Sequence, residues 1–172
     1  PSDYMVQKMS REGLLKKINY NNIPNFKYID KSFLNPKYDP TNEYSVPYMW
    51  GTLGIVYNKK MVKEKVDSWD ILWDEKYSRN ILMFDSVRDT MGIALKKLGY
   101  SMNSVDKDQI NAAKNLLIKQ KPLVLAYVND DGKDRMIAEE AALGVFYSGD
   151  FPLMKEENDN LEYVIPKTGS NK

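Results

Sequence analysis

The stretch Ile81–Gly99, ILMFDSVRDTMGIALKKLG, sets the architecture. Asn80 to Phe84 reads as a short apolar strand. Asp85 or Ser86 then opens a helix that runs to Leu98, and Gly99 closes it as a residue suited to left-handed backbone. The same unit recurs downstream. Leu123–Val128 (LVLAYV) is a strand, Lys133–Glu139 a helix, and Ala142–Tyr147 (ALGVFY) another strand. A short helix follows Gly149, and Leu161–Ile165 is the last strand. Between them Asp106 caps a further helix, with Gln109 completing a capping box and Ile110, Ala113, Leu116 and Leu117 forming its buried stripe. Strands that are continuous apolar runs are buried on both faces, so from residue 78 onward the chain is an α/β sheet flanked by helices.

Upstream the pattern loosens. Ser2 or Asp3 caps a first helix expected to reach about Lys17, with Tyr4, Val6, Met9 and Leu14 on one face and Gly13 weakening its end. Asn19 to Tyr44 is rich in Asn, Pro, Lys and Asp, and reads as an irregular connector with at most a short helix or turn. Tyr44–Asn58, YSVPYMWGTLGIVYN, is extended; Pro47 and Gly51 split or bend it. Ser68 caps a short helix through Trp73.

Composition narrows the chemistry. The chain has 172 residues, 25 Lys+Arg against 24 Asp+Glu, and a net charge of +1, which argues against a dedicated nucleic-acid binder. It has no His and no Cys, which excludes triads with His, thiol nucleophiles, and zinc or haem sites that need those ligands. Twelve Tyr, three Trp and five Phe supply aromatic faces instead. No run approaches the length of a membrane helix, and no signal-peptide pattern is present. The opening Pro1-Ser2-Asp3 and the stop soon after a strand suggest a piece cut from a longer protein.

Ligands of α/β sheets bind outside the carboxyl ends of the strands, so three junctions attract attention. Phe84-Asp85-Ser86-Val87-Arg88-Asp89 puts two carboxylates and a hydroxyl on a strand end and a first helical turn. That is either an acidic cluster for a ligand ammonium group or helix capping, with Ser86 and Asp89 as an S-x-x-D box. Phe146-Tyr147-Ser148-Gly149 either presents a ring to a cation or is core followed by a turn. Val46-Pro47-Tyr48-Met49-Trp50-Gly51 is either a hinge with close backbone approach or the place of a core Trp. Asn129-Asp130-Asp131-Gly132 fails as a calcium loop, because Tyr127 and Ala138 would fall on its first and twelfth positions. Trp69 and Trp73 read as packing, and Lys59, Lys60, Lys63 and Lys65 as a solvated run.

At these junctions the chain resembles the spermidine/putrescine-binding proteins of bacterial ABC importers. PSDYMVQKM, YSVPYMWGTLGIVYN, SWDILWDEKY, ILMFDSVRDTMGIALKKLGYSMNS, AALGVFYSG and VIPKTGSN match in order, and SVPYMWG, FDSVRD and KKLGYSMNS are the specific stretches. The resemblance implies a type II periplasmic-binding-protein-like lobe, with a mixed, mostly parallel sheet flanked by helices and truncated at both ends. Residues 1–44 would be a piece of the first lobe and a connector, 45–166 the second lobe, and 167–172 the start of the crossover back. It implies ligand contacts from Ser2, Tyr4, Ser86, Asp89 and Tyr147, supported by Asp85, Arg88 and Trp50. Ser86 stands where some members carry a second acid. Arg88 would orient Asp89.

The implied function is extracytoplasmic polyamine binding for uptake, in the periplasm or on a membrane-anchored lipoprotein. It needs a permease partner, no cofactor, no metal, no nucleic acid and no catalysis. The missing first-lobe face would leave a surface through which the fragment dimerises. A ligand-sensing domain of a regulator and a two-lobed enzyme of the same fold are the alternatives.

Overall fold

Strand alternation explains the core. Leu53, Ile55, Ile81, Met83, Leu143 and Val145 point to one face of the sheet and join Trp69, Leu72, Tyr77 and Ile93 there. Val56, Leu82, Val128 and Phe146 point to the other and meet Met136, Met154 and Leu161. Successive side chains on a strand face opposite ways, so a continuous apolar run fills two cores at once. Each such side chain contributes about 1.5–3 kcal/mol when fully buried. The structure is a computed structural model and describes residues 2–170.

The elements are α1 (Asp3–Arg11), β1 (Leu53–Asn58), β2 (Ile81–Phe84), α2 (Val87–Lys97), α3 (Lys107–Gln120), β3 (Val124–Val128), α4 (Asp131–Ile137), β4 (Leu143–Tyr147), α5 (Phe151–Glu157) and β5 (Leu161–Val164). One sheet has the order β3-β2-β4-β1-β5. β2 pairs in parallel with both β3 and β4. β1 pairs antiparallel with both β4 and β5. The sheet is therefore mixed, and its parallel half carries the strand–helix junctions singled out in the sequence.

The chain forms two compact units, one up to Trp50 and one from Gly51. In the first, α1 stops at Arg11 and not near Lys17. Gly13 takes φ 69°, its N–H donates to the Ser10 carbonyl at 3.1 Å, and the Leu14 N–H donates to the Met9 carbonyl at 2.9 Å. That paired closure is a Schellman end, which stops a helix instead of weakening it. Leu14, left beyond it, is exposed. The connector holds three short 3-10 helices, Tyr20–Asn22, Pro24–Tyr28 and Lys31–Phe33, more than the single turn expected. Buried Asp39 organises its end, accepting from Glu43 N (3.1 Å), Tyr44 N (3.0 Å) and Ser45 Oγ (2.8 Å).

In the second unit the strand within Tyr44–Asn58 is confined to β1, starting at Leu53. Trp69 and Trp73 pack as expected, donating to the Gly169 carbonyl (3.1 Å) and the Leu116 carbonyl (3.0 Å). Asp106 caps α3 through Asp108 N (2.8 Å) and Gln109 N (3.1 Å). The Gln109 side chain accepts instead from Ser104 Oγ at 2.7 Å, so the expected box is closed by a different partner. The last two residues of the 167–172 segment lie outside the described residues.

Candidate functional site

Parallel pairing brings the ends of β2, β3 and β4 to one edge of the sheet. Phe84 is in register with Val128, and β1 begins at the same edge, where Leu53 faces Tyr147. This is the edge at which open α/β sheets bind ligands.

Local hydrogen bonds fix the junction after β2. Asp85 N donates to the Val128 carbonyl at 2.8 Å, and Thr90 Oγ1 donates to the Phe84 carbonyl at 2.7 Å. Ser86, with extended backbone, is the N-cap of α2; its carbonyl takes Thr90 N at 2.9 Å. Its hydroxyl accepts from Asp89 N at 3.5 Å, the outer limit for such a bond. These contacts place Asp89 on the first turn of α2, where the helix dipole favours a negative charge.

The Asp89 carboxylate reaches across the edge. Tyr147 donates its hydroxyl to Asp89 Oδ2 at 2.7 Å, a short bond of the charge-assisted kind. The Tyr147 ring meets Phe84 edge-on, with centroids 4.9 Å apart and planes at 75°. Asp89, Tyr147 and Phe84 are each partly exposed. Asp85 and Arg88 are exposed on either side of Ser86 and Val87. Three predicted residues, Ser86, Asp89 and Tyr147, are thus brought together.

Sequence reasoning missed two features of this edge. Phe84 was read only as a strand end, yet it is the second ring of the site. Thr52 and Ser148 exchange hydrogen bonds: Thr52 N donates to Ser148 Oγ (3.2 Å), and Ser148 N donates to the Thr52 carbonyl (2.8 Å). Tyr163 adds its hydroxyl to the same carbonyl at 3.1 Å, and burial pushes that phenol up, so it remains a donor at neutral pH. Phe84 was legible as the aromatic at a strand terminus; the Thr52–Ser148 link had no local signal.

The other predicted residues lie in the first unit. Ser2 is the N-cap of α1, with its carbonyl taking Met5 N (3.0 Å) and Val6 N (3.1 Å) while its side chain makes no capping bond. Tyr4 is partly exposed on α1. Trp50 is 68% exposed, with its ring 5.9 Å from Phe33, which removes the reading of a core Trp.

A depression of about 260 Å³ lies elsewhere, lined by Glu64, Asp67, Asp70 and Asp74 among others. Three of its four acids are engaged by lysines: Glu64 by Lys76 at 2.9 Å, Asp67 by Lys167 at 2.7 Å, and Asp70 by Lys97. Their charges are already met, unlike an acid whose partner is a neutral phenol. Among the described residues no cluster of three or more acids could hold a metal ion, and no helix is long and apolar enough to cross a membrane.

A carboxylate and two rings thus meet at the strand ends of a mixed sheet flanked by helices. The chain belongs to the bacterial extracellular solute-binding protein family, whose model matches residues 1–172. It is 38% identical, over 98% of its length and 49% of the relative's, to the spermidine/putrescine-binding periplasmic protein of Escherichia coli K12. Among solved structures it is similar to a putative spermidine/putrescine ABC transporter protein from Listeria monocytogenes, with 44% identity, 99% of this chain and 53% of that one covered, and TM-score 0.91. The PotD spermidine/putrescine substrate-binding protein of Streptococcus pneumoniae shares 44% identity over 99% of this chain and 53% of its own, with TM-score 0.78. The chain spans about half the length of the curated relatives it matches.

Proposed function

We propose that this chain forms part of an extracytoplasmic polyamine receptor, binding spermidine or putrescine and delivering it to the permease of an ABC importer. The observation that carries the reading is the Asp89–Tyr147 pair beside Phe84 at the carboxyl edge of the sheet. Family membership and the names of the relatives support it.

The chemistry follows from the ligand. A polyamine presents ammonium groups separated by methylenes. Asp89 takes one ammonium by a charge-assisted hydrogen bond, worth a net of about 1.5–3 kcal/mol. The rings of Tyr147 and Phe84 cover the adjoining methylenes and attract the cation through their faces. Ser86 offers a hydroxyl where a second acid would add charge. Asp85 and Arg88 set the field around Asp89, Trp50 supports the N-terminal side, and Ser2 and Tyr4 supply further contacts from α1. No bond is made or broken, so the protein carries its ligand and does not transform it.

In this reading residues 1–44 are first-lobe sequence and connector, 45–166 the second lobe, and 167–172 the start of the crossover. Ligand contacts that differ between open and closed forms drive closure of the two lobes. The test is a thermal melt of the full-length natural protein with and without spermidine or putrescine. Binding to the native state alone raises Tm with ligand concentration. An unchanged Tm at millimolar polyamine, with the protein folded, would contradict the reading.

A further inference from the structure

Asp89 has two carboxylate oxygens, and Tyr147 occupies one of them. The hydroxyl lies 2.7 Å from Oδ2. Its ring is held in place by the edge-on contact with Phe84 and by the position of Tyr147 at the end of β4, in register with Leu53 of β1. Asp89 is held by the first turn of α2, closed by Thr90 N on the Ser86 carbonyl (2.9 Å) and Thr90 Oγ1 on the Phe84 carbonyl (2.7 Å). The backbone of each partner is thus fixed at an element end.

The two common organic cations use a carboxylate differently. A guanidinium is a planar fork that donates in parallel to both oxygens, whereas an ammonium is a compact point charge that is satisfied by one. We infer that the Tyr147 hydroxyl is a specificity-determining group: by taking one lone pair of Oδ2 it leaves Oδ1 the better acceptor of Asp89, which favours ammonium ends over guanidinium forks. A guanidinium that docks as a fork must share Oδ2 with the phenol or displace it, which weakens or breaks the phenol's hydrogen bond. The displaced bond is one to a charged group, so the discrimination is about tenfold per site.

The inference rests on the polyamine reading above, and the test separates the two. The full-length protein is titrated calorimetrically with putrescine and with 1,4-diguanidinobutane, which has the same four-carbon spacer and a guanidinium at each end, in the wild-type and Tyr147→Phe forms. The wild-type protein is expected to bind the diamine about tenfold or more tightly than the diguanidine, and Tyr147→Phe to narrow that ratio several-fold. Equal wild-type affinities overturn the inference whatever the variant does, and so does a ratio unchanged in a folded Tyr147→Phe protein. Failure of the wild-type protein to bind either compound, or spermidine, defeats the polyamine reading itself.

Discussion

Ser86 shows how a distance decides between two roles. Its hydroxyl sits 3.5 Å from Asp89 N, so it is a weak cap, and Ser86→Ala is expected to lower stability by only about 0.5 kcal/mol, the low end for an N-cap. Urea unfolding measures this; a loss near 2 kcal/mol would restore capping as its main task. Asp89 differs, because its carboxylate takes a hydroxyl 58 residues away in sequence. Neither role was separable in the sequence, where an acid on a first helical turn satisfies the helix dipole and a ligand equally well. Tyr77 gives a pH signature independent of ligand. Burial pushes its phenol from an ordinary 10.0 up to about 12. Between those values the native state holds a proton that the unfolded chain has lost, so stability is fully present below pH 10 and falls as pH rises through about 12. Denaturation midpoints across this window should fall less steeply in Tyr77→Phe than in the wild-type protein; equal slopes would assign the loss to other tyrosines.

At the scale of elements, glycine governs two ends and one close approach. Gly99 closes α2 at φ 81°, with its N–H on the Lys96 carbonyl (2.9 Å) and Tyr100 N on the Leu95 carbonyl (2.8 Å). Gly99→Ala is expected to cost about 1 kcal/mol through left-handed strain. In β1, a Cβ at Gly54 would lie 2.3 Å from the Tyr163 ring, which stacks on Phe151 and bonds to Thr52. Gly54→Ala should therefore cost about 1–3 kcal/mol as overpacking, and a neutral result in thermal unfolding would show that Tyr163 is free to move. Gly99 was legible as a stop because it follows a long periodic run. Gly13 was not, because α1 is short and its apolar spacing continues to Leu14 past the turn that ends it. β2, β3 and β4 were legible as apolar runs between turn residues. The first half of Tyr44–Asn58 was not, since Pro47 lacks a donor for a ladder and extended chain reads alike whether paired or unpaired.

At the scale of the molecule, α/β class and the double-sided burial of β2 and β4 followed from composition and periodicity, but β3, an equally apolar run, lies at the sheet edge with Tyr127 exposed, because strand order was not legible. The adjacency of β2 and β4 that joins Phe84 and Asp89 to Tyr147 depends on pairing between residues far apart in sequence, and so does the antiparallel placement of β1. Short strands carry no record of their direction, so the sequence could nominate Asp89 and Tyr147 but not bond them. On the proposed reading the lack of His and Cys is no obstacle, since holding an ammonium group takes only a carboxylate and rings. Calorimetric titration of the full-length protein with putrescine and spermidine, wild-type against Asp89→Ala, tests that claim most directly. Saturable binding to the wild-type protein is expected, weakened roughly ten- to a hundredfold in Asp89→Ala. No saturable heat in the wild-type protein, or equal affinity in a folded Asp89→Ala variant, would contradict it.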